Sequence, residues 1–361
     1  MPSDRTRIET LLRAIEALDL GPTRIMEVCG THTMSIASAG IKSMLPQNIQ
    51  LLSGPGCPVC VTPPQVIDRV LELAMEKDVL ITSYGDMLRV PGSRPGDSLL
   101  RRRALGAKVE TIYSPVDAVA LAAAHPEKQV VFLGVGFETT APGTAAAVLT
   151  AQEQGLQNFT VWSMLKEVEP ALRALIAMDG FNIDGFLCPG HVATIIGERG
   201  FRYLPEEFGL PGVIAGFEAE DILLAVYLLL RQIKEGRPRI ENAYPRAVSA
   251  DGNVLAQKML ERCFEERPDL WRGLGEIPRS GLGLKEELAA FDAEKRFSVH
   301  CDSAEPPTAC RCGEVITGRL APMLCPMFGR ACTPEDPVGP CMVSSEGACA
   351  AAYKYADASF E

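Results

Sequence analysis

"RIMEVCGTHT", residues 24–33, begins as an apolar run and ends as a loop of Cys, Gly, Thr and His. A short apolar run closed by glycine reads as a buried strand feeding the start of a helix. The same join recurs along the chain. "IQLLS" (49–53) runs into "GPGCPVC", "QVVFLGVG" (129–136) into "FETTAPG", and "IDGFLC" (183–188) into "PGH". "VLITS" (79–83), "VETIY" (109–113), "FTVWSML" (159–165) and "GVIAGF" (212–217) read as further strands. Helical stretches lie between them, among them Gln65 to Met75 and Glu218 to Lys234. An opening helix sets Ile8, Leu11, Leu12, Ile15 and Leu18 on one face. Strands alternating with helices predict parallel sheets covered on both faces.

The strands fall into two sets that part near Ser114-Pro115. The expected class is α/β: two tandem parallel-sheet α/β domains plus a smaller irregular, partly helical Cys-rich domain. The boundaries expected are 1–114, carrying the Cys29 and Cys57/Cys60 motifs, 115–240, and 241–361. Past about residue 240 the rhythm breaks down. "GEIPRSGLGL" and the Pro/Cys/Gly-rich tail show little periodicity, and such a tail buries too little apolar surface to stand without a covalent or metal staple.

A chain of 361 residues, 47% apolar and 22% charged, is globular and too long for one ordinary domain. Its net charge of -11 argues against nucleic acid or an anionic membrane as the main partner. Arg101-Arg102-Arg103 then reads as a solvated helix face. The N-terminal "MPSDRTRIET" lacks the apolar core of a signal peptide, and the apolar run Ile222 to Leu230 is too short to span a bilayer. The expected location is the cytoplasm. In a reducing compartment the twelve cysteines are metal ligands or redox thiols in preference to structural disulfides.

Ligand sites in open parallel sheets form beyond the carboxyl ends of the strands. Cys29, Cys57 and Cys60 all follow such ends, so they are expected to share a cleft. The spacing of Cys57 and Cys60 lets both sulfurs grip one metal or close a small ring, and Pro58 stiffens the turn. Three readings compete: a structural zinc site of these cysteines with His32, inert buried thiols, and a reactive dithiol beside a third thiolate. The glycine-rich surroundings favour the last, and nearby helix starts are expected to lower the thiol pKa. His32 is either a satisfied polar side chain or a proton donor and partner to Cys29. Glu138, Thr139 and Thr140 read as a helix N-cap or as ligand-facing groups, and His191 carries the same ambiguity. Cys188 reads as core.

Six cysteines lie between Cys310 and Cys349, which in such a chain demands a metal. Cys325-Pro326 and Cys332 match the Cys-Pro context of iron–sulfur ligands. The paired C-x-x-C knuckles of structural zinc are missing from this tail. The composition therefore favours a [4Fe–4S] cluster over zinc, and spacing leaves open which four of the six cysteines bind it.

"MEVCGTHT", "GPGCPVCVTP", "GFETTAPG" and "CMVSSEGACAAAYKY" together resemble the HypD family of hydrogenase maturation proteins, over nearly the whole chain. The resemblance implies three domains, two of them α/β and a third with a [4Fe–4S] cluster. It implies a cytoplasmic scaffold, a kind of metallochaperone, that assembles the Fe(CN)2CO group of [NiFe] hydrogenases. Cys29 would bind the iron of that group and Cys57 with Cys60 would form a redox-active dithiol. Cys310, Cys325, Cys332 and Cys349 would ligate the cluster, leaving Cys312 and Cys341 unassigned, with Cys312 an alternative to Cys310. The implied partners are a small HypC-type protein that shares the iron, a HypE-type donor of the cyano group as a thiocyanate and, indirectly, the hydrogenase large subunit. His32 would donate a proton or order bound ligands. No turnover reaction is assigned. A cluster-fed thiol–disulfide reductase and a zinc-stabilised binding protein are the alternatives.

Overall fold

Two strands, Gln129–Gly136 and Phe159–Leu165, are apolar and buried along almost their whole length, the condition of strands covered by helices on both faces. They sit in one of three sheets. The structure is a computed structural model that describes residues 4–299 and 309–355; Cys301 lies outside the described residues. In chain order the strands are β1 (Thr23–Glu27), β2 (Ile49–Ser53), β3 (Val79–Ser83), β4 (Lys108–Thr111), β5 (Gln129–Gly136) and β6 (Phe159–Leu165). They continue with β7 (Gly185–Pro189), β8 (Gly212–Ala215), β9 (Ile240–Asn242), β10 (Phe264–Trp271) and β11 (Gly275–Leu284).

The first sheet has the order β2-β1-β7-β8-β9 and the second β4-β3-β5-β6, with every pairing in both parallel. The α/β class with two parallel sheets and a smaller, irregular, partly helical Cys-containing region is as expected. The sheets do not divide at residue 114, however. β3 and β4 join the second sheet, and β7, β8 and β9 return to the first, so the second sheet is an insertion between two halves of the first. Crossover connections let a strand return beside any neighbour whose faces need cover, and strand order along the chain does not record that choice.

The opening helix Asp4–Glu16 buries Ile15 and half-buries Ile8, Leu11 and Leu12 against helix Ala219–Glu235, which covers β7 and β8. Arg7 pairs with Glu220 at 3.2 Å across that seam.

"GEIPRSGLGL" is β11, the longest strand among the described residues, where the sequence showed little periodicity. It pairs antiparallel with β10, and the register slips between Arg267 and Asp269, around Pro268. A proline cannot donate to the ladder, so the bulge there is the expected compromise. The hairpin is held to β6 by Ser163 Oγ donating to Leu282 O (2.5 Å), Glu167 N to Ser280 O (3.0 Å) and Arg267 to Ser163 O (2.9 Å).

Lys166, just past β6, anchors the same contact. Its side chain is buried, and Nζ donates to Asp269 Oδ2 at 2.5 Å and Leu270 O at 2.9 Å beneath the Trp271 ring. Burial lowers its pKa and Asp269 opposes that shift. Removing one partner of a buried pair leaves an uncompensated charge. Asp269→Ala is therefore expected to destabilise the hairpin by about 3 kcal/mol, most of it regained when Lys166→Met is added with Asp269→Leu. Urea unfolding followed by tryptophan fluorescence checks this, and equal losses in the single and paired variants would contradict it.

Candidate functional site

In the first sheet the chain leaves β1 toward β2 on one side, and leaves β7 toward β8 on the other. Loops that diverge in this way open a crevice at the carboxyl ends of β1 and β7. Cys29 is the extended residue before helix Gly30–Ser38, and Cys57 holds the same position before helix Pro58–Val61. Cys57 Sγ accepts from Cys60 N at 3.1 Å, and the two sulfurs lie at disulfide distance with their Cα atoms 5.2 Å apart.

The two loops touch through backbone. Gly30 N donates to Gly56 O at 3.1 Å. A Cβ on Gly56 would stand 2.3 Å from Cys29 N, a clash that no side-chain movement relieves.

A third segment closes over them. Thr31 Oγ1 donates to Glu346 Oε1 at 2.6 Å, and a Cβ on Gly30 would meet Glu346 Cβ at 2.4 Å. Cys57 Sγ lies 3.4 Å from Ser344 Oγ. Asp86, on the turn Gly85–Arg89 that follows β3, accepts from Ser345 N and Ser345 Oγ, both at 2.8 Å. Ser344–Glu346 thus bonds to the carboxyl edges of both parallel sheets. Beside it, Pro58 and Val59 of the dithiol helix open onto a cleft of about 640 Å³ that also takes in Tyr84, Asp86, Thr139 and Thr140.

Helix starts were expected to lower the Cys29 pKa, but the balance runs the other way. Burial pushes the thiol up to about 11, and the Glu346 carboxylate adds to this. The N–H groups of His32 and Thr31 offset only part of it. Amide dipoles at the start of one helix are too weak to repay the lost hydration of a thiolate that is 7% exposed.

His32 is fully buried. Nε2 donates to Gly216 O at 2.9 Å, Phe217 packs on the ring, and burial lowers the pKa to about 4. At neutral pH the ring has no proton to donate into the crevice. Nδ1, buried without a partner among the described residues, remains as an acceptor. Below the crevice, Glu27 accepts from Ser53 (2.7 Å) and Thr33 (3.1 Å), while its Oε2 is unpartnered among the described residues.

The segment Ser344–Glu346 is flanked by Cys341 and Cys349, and these line a second, largely apolar cavity with Cys310, Cys312, Cys325 and Cys332. Val315, Met327, Phe328 and Met342 complete its wall. Cys349 N donates to Cys341 Sγ at 3.3 Å and Val338 N to Cys332 Sγ at 3.4 Å. A Cβ on Gly339 would lie 2.7 Å from Cys310 Sγ. Among the described residues, no three His, Cys, Asp or Glu side chains are poised for a single metal ion. Six sulfurs around one apolar hole, with N–H groups aimed at two of them, suit a polynuclear iron–sulfur group better than a mononuclear ion. Hydrogen bonding among the sulfurs, with burial, raises the thiol of Cys312 to about 12 and that of Cys341 well above the usual value. Metal would have to displace those protons.

A family model for HypD, described as the hydrogenase formation hypA family, matches residues 6–356. The chain belongs to the HypD family. It is 45% identical over 341 residues to the hydrogenase maturation factor HypD2 of Bradyrhizobium diazoefficiens, covering 92% of this chain and 90% of that one. The HypD of Azotobacter vinelandii is 46% identical over 338 residues, with 92% and 89% covered. That of Escherichia coli is 43% identical over 335 residues, with the same coverage.

Within this HypD-family chain the other candidate residues divide. Glu138 does not cap helix Ala141–Glu153. It accepts from Val168 N at 2.9 Å, so it caps helix Val168–Ile176 of the next crossover. His191 stacks on Phe217, 4.0 Å between ring centroids, and senses Glu346 electrostatically. Cys188 is fully buried core, as expected. The sequence reading missed Asp86, which carries no local signal, and gave no role to Glu27, an acid inside the quoted motif "MEVCGTHT". It quoted Ser344 and Glu346 within a motif without giving them a role; their place between two ligand-type cysteines was the available clue. Among the described residues no helix is long and apolar enough to cross a membrane.

Alkylation of Cys29 in metal-free protein is expected to be slow at neutral pH and to climb about tenfold per pH unit toward about 11. Glu346→Gln removes an acid that raises this pKa and should move the profile to lower pH. A profile centred on an ordinary thiol value contradicts the burial argument.

Proposed function

We propose that this chain is the redox-competent scaffold on which the Fe(CN)2CO group of [NiFe] hydrogenases is assembled. It would act with a HypC-type partner that shares the iron and a HypE-type donor that delivers the cyano group. The observation that carries this reading is the Ser344–Glu346 segment. It touches the Cys29 and Cys57 loops while the cysteines on either side of it line the six-sulfur cavity. The setting is a reducing cytoplasm, where free thiols persist.

Cys29 supplies a soft sulfur ligand, suited to low-spin Fe(II) carrying cyanide and carbon monoxide. Its proton leaves when iron binds, and the N–H groups of Thr31 and His32 then stabilise the thiolate. His32 Nδ1 offers an acceptor for ordering bound ligands. The Cys57–Cys60 dithiol supplies the reducing equivalents. Carrier thiocyanate R–S–C≡N and two thiols give R–SH, HCN and one disulfide: the S–C bond breaks, one S–S bond forms, and both thiol protons are accounted for. The cleft of about 640 Å³ beside Pro58 and Val59 is the approach available to such a carrier. A [4Fe–4S] cluster would be held by Cys310, Cys325, Cys332 and Cys349, the spacing of the family, and would supply electrons singly. Cys312 and Cys341 line the same cavity.

Purified without oxygen, the chain should be brown and contain iron and labile sulfide. With its HypC-type partner it should show infrared bands in the cyanide and carbonyl regions. Cys29→Ala should remove those bands and spare the cluster absorption. Bands that survive reject the role of Cys29, and zinc in place of iron and sulfide rejects the reading altogether. Disulfide reduction of a protein substrate at full rate in Cys29→Ala without the partner would favour a plain reductase.

A further inference from the structure

Adjacent strands β5 and β6 of the second sheet are each followed by a glutamate, the buried Glu138 and the half-buried Glu167. Both line a cleft of about 470 Å³, separate from the Cys29 crevice and within the range of organic ligand sites. Its apolar wall includes Ile196, Ile277 and Pro278.

Glu138 is 4% exposed. Its Oε1 is taken by Val168 N, but Oε2 is buried with no partner among the described residues. The Glu167 carboxylate likewise has no hydrogen bond or ion pair among the described residues. The cations at the rim are already committed. Arg173 binds Glu207 at 2.6 and 2.7 Å and Glu169 at 2.8 Å, and Arg279 binds Glu266. An unpaired buried carboxylate oxygen such as Glu138 Oε2 is costly, and among the described residues neither glutamate has a positive group bonded to its carboxylate.

We propose that this cleft binds an organic cation of the guanidinium type. Its head sits between Glu138 Oε2 and the Glu167 carboxylate, and its aliphatic stem lies along Ile196, Ile277 and Pro278. A guanidinium matches carboxylates in plane, and an alkyl stem matches the apolar wall, which a hydrated metal ion does not. Among the described residues no three acidic, His or Cys groups are poised for a metal ion here. Burial raises Glu138 to about 7 and, with Glu138 adding to it, Glu167 to about 8. The other charged groups facing the pair are Glu169 and Arg173 on the helix and Glu266 and Arg279 on the hairpin. A bound cation therefore displaces protons near neutrality, and affinity rises with pH across that range.

The test is calorimetric titration of the full chain with agmatine and with a doubly blocked arginine, in two buffers of different ionisation enthalpy. Binding with proton release is expected. It should weaken roughly tenfold or more in Glu138→Gln and in Glu167→Gln, the scale of one lost charge-assisted hydrogen bond. The exposed Glu110→Gln should leave it unchanged. Glutamine at 138 keeps the oxygen that caps Val168, and circular dichroism checks that both variants stay folded. Agmatine binding alone assigns a free small molecule, and blocked arginine binding as well assigns a side chain presented by a protein. Binding undiminished in both variants, no binding of either probe, or uptake of Mg²⁺ in place of guanidinium overturns the proposal.

Discussion

Three backbone segments meet beside Cys29 with no room for a side chain between them. The loop after β2 presses Gly56 against Cys29 N, and the tail presses Glu346 against Gly30. Neither approach tolerates a Cβ, so the hydrogen bonds that join the loops exist only because glycine stands at both positions. Everything chemical in the crevice depends on this fit. It brings the carboxyl ends of two neighbouring strands together with a segment roughly 300 residues further along the chain.

The fit has an electrostatic consequence. A crevice closed this tightly excludes water, and a thiol in it stays protonated until something replaces the lost hydration. A proton acceptor of ordinary strength does not do so, which leaves the buried Cys29 thiol slow toward a passing electrophile. Glu27, His32 and Glu346 each have a polar atom committed to holding the loops.

Much of this was legible in the sequence. "IQLLS", "VLITS", "QVVFLGVG" and "FTVWSML" are strands with the very boundaries read from apolarity; the last three are buried along nearly their whole length, and only edge strand β2 turns a polar residue, Gln50, to solvent. The loops of Cys29 and Cys57 were placed together from strand ends alone. Sheet membership was not legible, since β7 pairs with β1 across an insertion and no local pattern records a partner 160 residues away. β11 was missed because it lies in a twisted, bulged hairpin where Pro278 and three glycines interrupt the alternation. The Cys29 pKa was misjudged because spacing reveals a helix start but not the depth at which it is buried.

The tail adds a further link between the two sheets. The second sheet is tied to the first by connections at residues 54–78 and 166–184 and by a shared buried core that includes Met26 and Phe186 of the first and Val131 and Trp162 of the second. Ser344–Glu346 bonds to Asp86 beyond the second sheet and to Thr31 beyond the first, so it joins the two carboxyl edges directly. Cys341 and Cys349 hold the two ends of the same segment. A group bound between them would stiffen an element that bonds to both sheets, and its state would be felt at Cys29 and Cys57 through a chain of contacts only a few residues long.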